Sequence, residues 1–198
     1  ILRAARSLSK YVHEKVASET ISKVLYPNDE PIQGKMLRLQ KEYFFVACAL
    51  QDAIRIVRQR TLDITRLDEK LVVQLNDTHP AIGVAELMRL LVDEHLLDWD
   101  AAWKITRNTF AYTNHTLLPE ALETWPIDLF GRLLPRHLEI IYRINMEHLG
   151  AAKLKNLSAF DTLESISLVD EHDGRKLRMG HLAFVGSHCT NGVSRLHT

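Results

Sequence analysis

The sequence contains little of what marks secreted or membrane proteins. Cys48 and Cys189 are its only cysteines, and two isolated thiols in 198 residues favour a reducing compartment over a disulfide scaffold. No apolar run approaches the roughly 18–20 residues that a membrane helix needs. The opening residues also lack the apolar centre of a signal peptide. We therefore expect a cytoplasmic protein with no membrane partner.

A surplus of basic charge is also missing. The 25 Lys and Arg residues are balanced by 25 Asp and Glu residues, so the formal net charge is zero and the pI is about 7.3. Proteins that bind nucleic acid normally carry a basic excess, and we expect no nucleic acid partner. The glycine-rich loops of nucleotide-binding proteins, the nucleophile elbow of hydrolases and the HExxH motif of zinc proteases are absent too.

Apolar side chains, by contrast, are plentiful and recur at helical spacing. They make up 46% of the chain, which is enough to bury a core. Asp98 has the residue type and position of a helix N-cap, Pro119 could open a short helix, and Gly150 could end a helix that begins near Leu138. The segments with the clearest helical spacing are residues 8–25, 35–60, 84–94 and 99–110.

Two short apolar runs have the composition of buried strands. Residues 71–75 include adjacent β-branched side chains, and residues 181–186 form a similar run. Both fit strands that are buried on both faces of a parallel sheet. Long helices between short apolar strands predict an α/β fold.

Each expected strand leads into a polar segment that contains a histidine. Asn76, Asp77, Thr78 and His79 follow the first strand, and His188 follows the second. In open α/β sheets, ligands bind outside the carboxyl ends of the strands. The residues alone leave two readings open, because Asp77 and Thr78 could instead cap the helix after Pro80.

Two kinds of function are compatible with these residues. Asp77, His79 and His188 offer the oxygen and nitrogen ligands of a metal-dependent hydrolase, although no further ligand cluster supports that interpretation and we expect no metal. A carbohydrate-binding or regulatory module without chemistry would also fit a polar cleft in an α/β protein. Residue types and spacing do not choose between these readings.

Several segments, in this order, resemble the α-glucan phosphorylases, the family of the glycogen, starch and maltodextrin enzymes. The similarity covers essentially the whole chain. The segments are VLYPND (residues 24–29), LRLQKEYF (37–44), LNDTHP (75–80), AYTNHTLLPEALE (111–123), LPRHL (134–138) and VGSHCTNGV (185–193).

The resemblance implies a fold and a reaction. The family has two Rossmann-like lobes of the GT-B glycosyltransferase type, and residues 1–198 would form part of the N-terminal lobe, with parallel strands and long helices. It implies that inorganic phosphate cleaves terminal glucosyl units from an α-1,4-glucan as glucose 1-phosphate. The family's pyridoxal 5'-phosphate is bound to a lysine of the C-terminal lobe, so this chain would contain no cofactor-binding residue.

It also implies partners. These would be the remainder of the enzyme, including its C-terminal lobe, and a second subunit in a homodimer. The sequence opens inside an expected helix and stops after an expected strand, neither of which is typical of a natural boundary. We therefore expect an incomplete domain that is inactive alone.

The resemblance assigns roles to six residues. Asn28 and Asp29 match the mobile loop that gates the cleft, and His188 is matched to the position that contacts the 6-hydroxyl of the reacting glucosyl unit. Three further residues are expected to bind substrate, and they are Asp77, His79 and Asn191. The gate loop departs from the common pattern, since Glu30 and Pro31 follow Asp29 where many members have asparagine and an aromatic residue.

Overall fold

The computed structural model describes residues 15–16, 18–23, 31–60, 63–154, 163–172 and 174–196. Packing of the backbone separates the chain into two units, residues 1–45 and 46–198. The strands and the helices that cover them all lie in the second unit. Within the described ranges, no helix is both long enough and apolar enough to cross a membrane.

Helices account for most of the described chain, as the spacing predicts. The described parts of the first expected helix, residues 15–16 and 18–23, are helical, and the rest of it lies outside the described residues. The third expected helix, residues 84–94, ends in a π-helical turn, Leu90–Glu94. Short 3-10 helices span Ile64–Glu69 and Pro119–Ala121. The α-helices are α1 (Ile32–Arg60), α2 (Ile82–Arg89), α3 (Trp99–Thr109), α4 (Ile127–Leu133), α5 (Pro135–Leu154), α6 (Leu163–Ile166) and α7 (Met179–Val185).

Two of the local predictions concern helix ends. The Asp98 carboxylate accepts a hydrogen bond from the Ala101 backbone N–H at 3.0 Å, so the predicted N-cap of α3 is confirmed. The predicted end of α5 at Gly150 is wrong, because the helix continues to Leu154. Gly150 is exposed there, and a Cβ added at this position would meet no atom of a neighbouring element within 4 Å. A single glycine weakens a helix interior by only about 1 kcal/mol, too little to stop it.

The central element is a three-stranded parallel sheet. Its strands are β1 (Val73–Asn76), β2 (Phe110–Asn114) and β6 (Cys189–Gly192), in the order β1-β2-β6. A second, antiparallel sheet has the order β3-β5-β4 and consists of Thr124–Pro126, Lys176–Arg178 and Val169–Asp170. The parallel sheet with surrounding helices confirms the predicted α/β fold.

The second predicted strand is wrong. Residues 181–186 lie in α7 and the turn after it, and the strand follows as β6. A short apolar run does not distinguish a strand from a buried helix. Gly186 allows close packing of α7 against α2, because a Cβ at this position would lie 2.5 Å from Val84 Cγ1.

The first predicted strand is confirmed, but its burial is not. β1 begins at Val73, and only Leu75 of its four residues is buried. Leu75 lies opposite Tyr112 on the face that α2 covers, where the Phe110 ring approaches Gly83. The other face carries the exposed Gln74 side chain, so the sheet has one apolar face and one polar face.

A buried ion network fastens α2 to α5. The Glu86 carboxylate is fully buried and accepts hydrogen bonds from Arg89, at 2.8 and 2.9 Å, and lies 2.6 Å from His137 Nε2. Burial disfavours its charged form, but the bonds from Arg89 and His137 outweigh that cost and lower the pKa of Glu86. This network holds the helix that begins at Ile82, three residues after the end of the Asn76–His79 segment.

A polar cluster at the carboxyl edge of the sheet

The carboxyl ends of β1 and β2 bring two polar segments together. Asn76 ends β1, and Asn114 ends β2. The next residue, His115, places its ring Nε2 3.2 Å from Asn76 Oδ1. Because parallel strands end at the same edge of a sheet, these side chains form one polar cluster there.

Asp77 occupies the centre of this cluster in an uncommon backbone conformation. Its φ is +61°, the left-handed region that few residues other than glycine, asparagine and aspartate adopt. Its N–H donates to the Thr113 carbonyl at 3.0 Å, and its carboxylate lies 3.5 Å from the His115 backbone nitrogen, at the outer limit of a hydrogen bond. The turn therefore directs the carboxylate toward the residue that follows β2.

The helix-capping alternative for Asp77 and Thr78 is wrong. The residue before α2 is Ala81, and no side chain caps that helix. The Thr78 hydroxyl is buried and instead accepts a hydrogen bond from the Glu123 backbone N–H at 3.3 Å. Thr78 thus ties the loop to a neighbouring segment, while Asp77 and His79 remain at the edge.

A cavity of about 570 Å³ opens beside the same edge. Its lining includes Tyr112, Asn114 and Asn191. The Tyr112 hydroxyl is buried and has no hydrogen-bond partner among the described residues. Burial raises the pKa of Tyr112, and the nearby Asp77 charge raises it further, so this hydroxyl is a neutral donor at physiological pH.

The predicted substrate-binding residues occupy different places in the structure. Asp77 and His79 lie at the carboxyl edge, where His79 is exposed, and Asn191 lies near the end of β6 with its Oδ1 2.8 Å from Thr113 Oγ1. Asn28 and Asp29 lie outside the described residues.

His188 lies at the opposite edge of the sheet, so the predicted meeting of the two histidine loops is wrong. It precedes β6 and donates its N–H to the carbonyl of Phe110, the first residue of β2. By register it is level with Val73, four residues before Asp77. Four residues along a strand and two strand spacings put the two backbones about 16 Å apart. The prediction fails because the strand is Cys189–Gly192 and not residues 181–186. His188 therefore precedes the strand instead of following it.

His115 is the edge residue that the strand pattern missed. Residues 111–123 matched a family motif, but β2 was not predicted within it, so the position of His115 at a strand end was not recognised. The run Phe110, Ala111, Tyr112 and Thr113 contains aromatic and β-branched residues typical of a strand. This run begins at Phe110, the last residue of the helix predicted over residues 99–110, so it overlaps the helical pattern.

The edge cluster does not form a metal centre in the described part of the chain. No group of three or more His, Cys, Asp and Glu side chains there is arranged to hold a metal ion. The separation between Asp77 and His188 also exceeds what one ion could bridge, because metal–ligand bonds are about 2.0–2.3 Å long.

Comparison with known proteins places the chain in a family. A family model for carbohydrate phosphorylases matches residues 4–198. The chain belongs to the carbohydrate phosphorylase family. It is 56% identical over 187 residues to glycogen phosphorylase of Synechocystis sp., an overlap that covers 94% of this chain and 22% of that protein.

Mammalian relatives align over a similar part of the chain. The brain form of glycogen phosphorylase from Homo sapiens is 50% identical over 196 residues, and the liver form is 48% identical over 195 residues. Each alignment covers 94% of this chain and 23% of the relative. The chain therefore spans less than a quarter of the length of these relatives.

Proposed function

We propose that this chain is part of an α-1,4-glucan phosphorylase, an enzyme that uses inorganic phosphate to release terminal glucosyl units as glucose 1-phosphate. The observation that supports this most is the match of the phosphorylase family model to residues 4–198. The glycogen phosphorylases that resemble the chain at 48–56% identity support the same substrate class. Residues 1–198 would belong to the N-terminal lobe.

The carboxyl edge of the parallel sheet would be the sugar side of the active site. Its side chains, among them Asp77, His79 and His115, offer hydrogen-bond acceptors and donors that suit the hydroxyl groups of a glucosyl unit. Asp77 carries the only carboxylate in the Asn76–Pro80 and Asn114–Leu118 segments. A fixed carboxylate can stabilise the positive charge that develops at the anomeric carbon when the glycosidic bond breaks.

The role expected of His188 is better filled by His115. Both histidines are exposed, but only His115 stands at the carboxyl edge, where its ring contacts Asn76. A side chain at the amino edge would reach this sugar only across the depth of the sheet. We therefore propose His115 as the histidine that contacts the reacting glucosyl unit.

Asn28 and Asp29 keep their proposed role in the gate loop on the strength of their motif alone. A carboxylate beside an incoming phosphate repels it strongly in a poorly hydrated cleft. Asp29→Asn in the full-length enzyme should change the apparent affinity for phosphate as well as the rate. An unchanged phosphate KM would show that Asp29 does not control the access of phosphate.

The residues at this edge do not fit pyridoxal 5'-phosphate. The segments Asn76–Pro80 and Asn114–Leu118 contain no lysine and no arginine. Asp77 would repel a phosphate group placed among them. We propose that the cofactor, its lysine and the phosphate-binding cations belong to the remainder of the enzyme, with a second subunit completing a homodimer. A cytoplasmic location stays a prediction from the sequence.

The full-length enzyme provides the test. With glycogen or maltodextrin, it should form glucose 1-phosphate only when inorganic phosphate is present, and residues 1–198 alone should form none. Hydrolysis to free glucose without phosphate, together with about one zinc per chain that is lost on His79→Ala, would favour the hydrolase instead. Glucan binding without any product would favour the non-catalytic module.

A further inference from the structure

A row of three hydrogen-bonded side chains crosses the polar face of the parallel sheet. Gln74 on β1 donates through Nε2 to the Thr113 hydroxyl on β2 at 2.7 Å. The Thr113 hydroxyl donates in turn to Asn191 Oδ1 on β6 at 2.8 Å. Both distances are typical of well-formed hydrogen bonds. We call this row, Gln74–Thr113–Asn191, the side-chain ladder.

In this structure the ladder runs from Gln74 to Asn191. A threonine hydroxyl has a single proton, so an oxygen that accepts from Gln74 has that proton free for Asn191. Asn191 must then present its carbonyl oxygen to Thr113 and direct its Nδ2 group away from the ladder. Without the ladder, the two ends of this amide are almost identical in shape and could exchange places.

The middle and the two ends of the ladder differ in their exposure to solvent. Thr113 is 9% exposed, whereas Gln74 and Asn191, at the two ends, are exposed. Within the described part of the chain, Asn191 Nδ2 makes one long contact, 3.4 Å to the Gly192 carbonyl, and therefore retains capacity to donate elsewhere. Asn191 also lines the cavity beside the carboxyl edge.

We propose that Thr113 is a positioning residue that holds the Asn191 amide with Nδ2 directed toward a hydroxyl oxygen of the glucan. This inference rests on the proposed function, which supplies the glucan. Thr113 does not contact the sugar in this account. It acts by removing the alternative amide orientation before the substrate arrives, which lowers the cost of ordering on binding.

The first test compares two substitutions of Thr113 in the full-length enzyme. Thr113→Val keeps the shape of the side chain but removes the hydroxyl, and Thr113→Ser keeps the hydroxyl. We expect Thr113→Val to raise the glucan KM about three- to ten-fold, the size of one net hydrogen bond. Thr113→Ser should stay within about two-fold of the wild type, and the phosphate KM should not change in either variant.

The second test reverses the ladder. An ionised glutamate only accepts hydrogen bonds, so in Gln74→Glu the Thr113 hydroxyl would donate toward residue 74. Its oxygen would then accept from Asn191, whose amide would turn over and present Oδ1 to the substrate. We expect a glucan KM raised about as much as in Thr113→Val. An atomic-resolution crystal structure of the full-length variant should show Nδ2 facing Thr113.

The outcomes separate this inference from the proposed function. If the wild-type enzyme forms no glucose 1-phosphate, the proposed function fails, and the amide orientation in the crystal structures still decides whether the ladder positions Asn191. If Thr113→Val and Thr113→Ser raise the glucan KM equally, Thr113 has a packing role. An Asn191→Ala enzyme with an unchanged glucan KM would also overturn the inference.

Discussion

The two edges of the parallel sheet carry similar residue types but differ in what surrounds them. At the carboxyl edge, Asp77 adopts a positive φ and His115 contacts Asn76. At the amino edge, His188 lines a cavity of about 700 Å³ with Trp103 and Ile144 among its walls. The residue type of a histidine therefore says less about its role than the direction of the strand beside it.

The comparison predicts that substitutions away from the carboxyl edge change stability more than chemistry. The largest effect is expected for Glu86→Ala. This substitution removes the buried carboxylate that Arg89 and His137 contact. Removing one partner of a buried ion network costs about 3–5 kcal/mol. Thermal denaturation of the full-length enzyme should show a large fall in Tm, while kcat at low temperature stays close to that of the wild type.

Glu94→Ala is the matched control for Glu86→Ala. Glu94 pairs with the same Arg89, at 2.9 Å, but half of its side chain is exposed to solvent. Exposed ion pairs contribute about 0–1 kcal/mol. Equal losses of stability in the two variants would show that burial does not set the strength of this network.

The same network predicts a dependence of stability on pH. The pKa of Glu86 is lowered in the folded state, so the unfolded chain binds a proton more readily. Its contribution is present above the ordinary glutamate value of about 4.3 and is lost as the pH falls through the lowered pKa. The Tm difference between wild type and Glu86→Gln should be constant near neutral pH and shrink in acid. A difference that grows in acid would contradict the account.

A smaller loss of stability is expected at the contact between α7 and α2. Gly186→Ala would place a Cβ 2.5 Å from Val84 Cγ1, and overpacking of this kind costs about 1–3 kcal/mol. Gly150→Ala is the control, because no atom lies near that position and alanine favours the helix by about 1 kcal/mol. We expect Tm to fall in the first variant and to rise slightly in the second.

Asp77→Asn should show the opposite pattern at the carboxyl edge. Asparagine tolerates the positive φ of this position, so Tm should change little. Loss of the charge should lower kcat/KM for glucan, and a loss of about 1 kcal/mol corresponds to about five-fold. A fall in Tm without a change in kcat/KM would show that Asp77 has a structural role and does not act on the substrate.

The fold was predictable where the sequence has long periodic segments or clear ends. The spacing of apolar residues predicts α1, and Asp98 identifies the start of α3. Strands of three to five residues carry too few side chains for such a pattern. β2 begins at the residue after α3 ends, so no turn or loop residue marks the boundary between the two elements.

The site was predictable as a set of motifs but not as a geometry. Asp77 and His79 follow a correctly predicted strand, so their edge of the sheet was predicted correctly. His188 was assigned to the wrong edge because the apolar run before it forms a helix, whose packing depends on the contact of Gly186 with Val84. Contacts between residues about 100 positions apart are not encoded in local periodicity.

The most direct test of the account compares His115→Ala with His188→Ala in the full-length enzyme. Loss of a well-placed polar contact at the reacting sugar costs about 2–4 kcal/mol, so kcat for His115→Ala should fall about 30- to 1000-fold. His188→Ala should retain kcat within about three-fold, because its side chain lies at the amino edge. Steady-state rates of glucose 1-phosphate formation at saturating phosphate and glucan give both values. A large fall for His188→Ala with no change for His115→Ala would contradict the assignment of the sugar to the carboxyl edge.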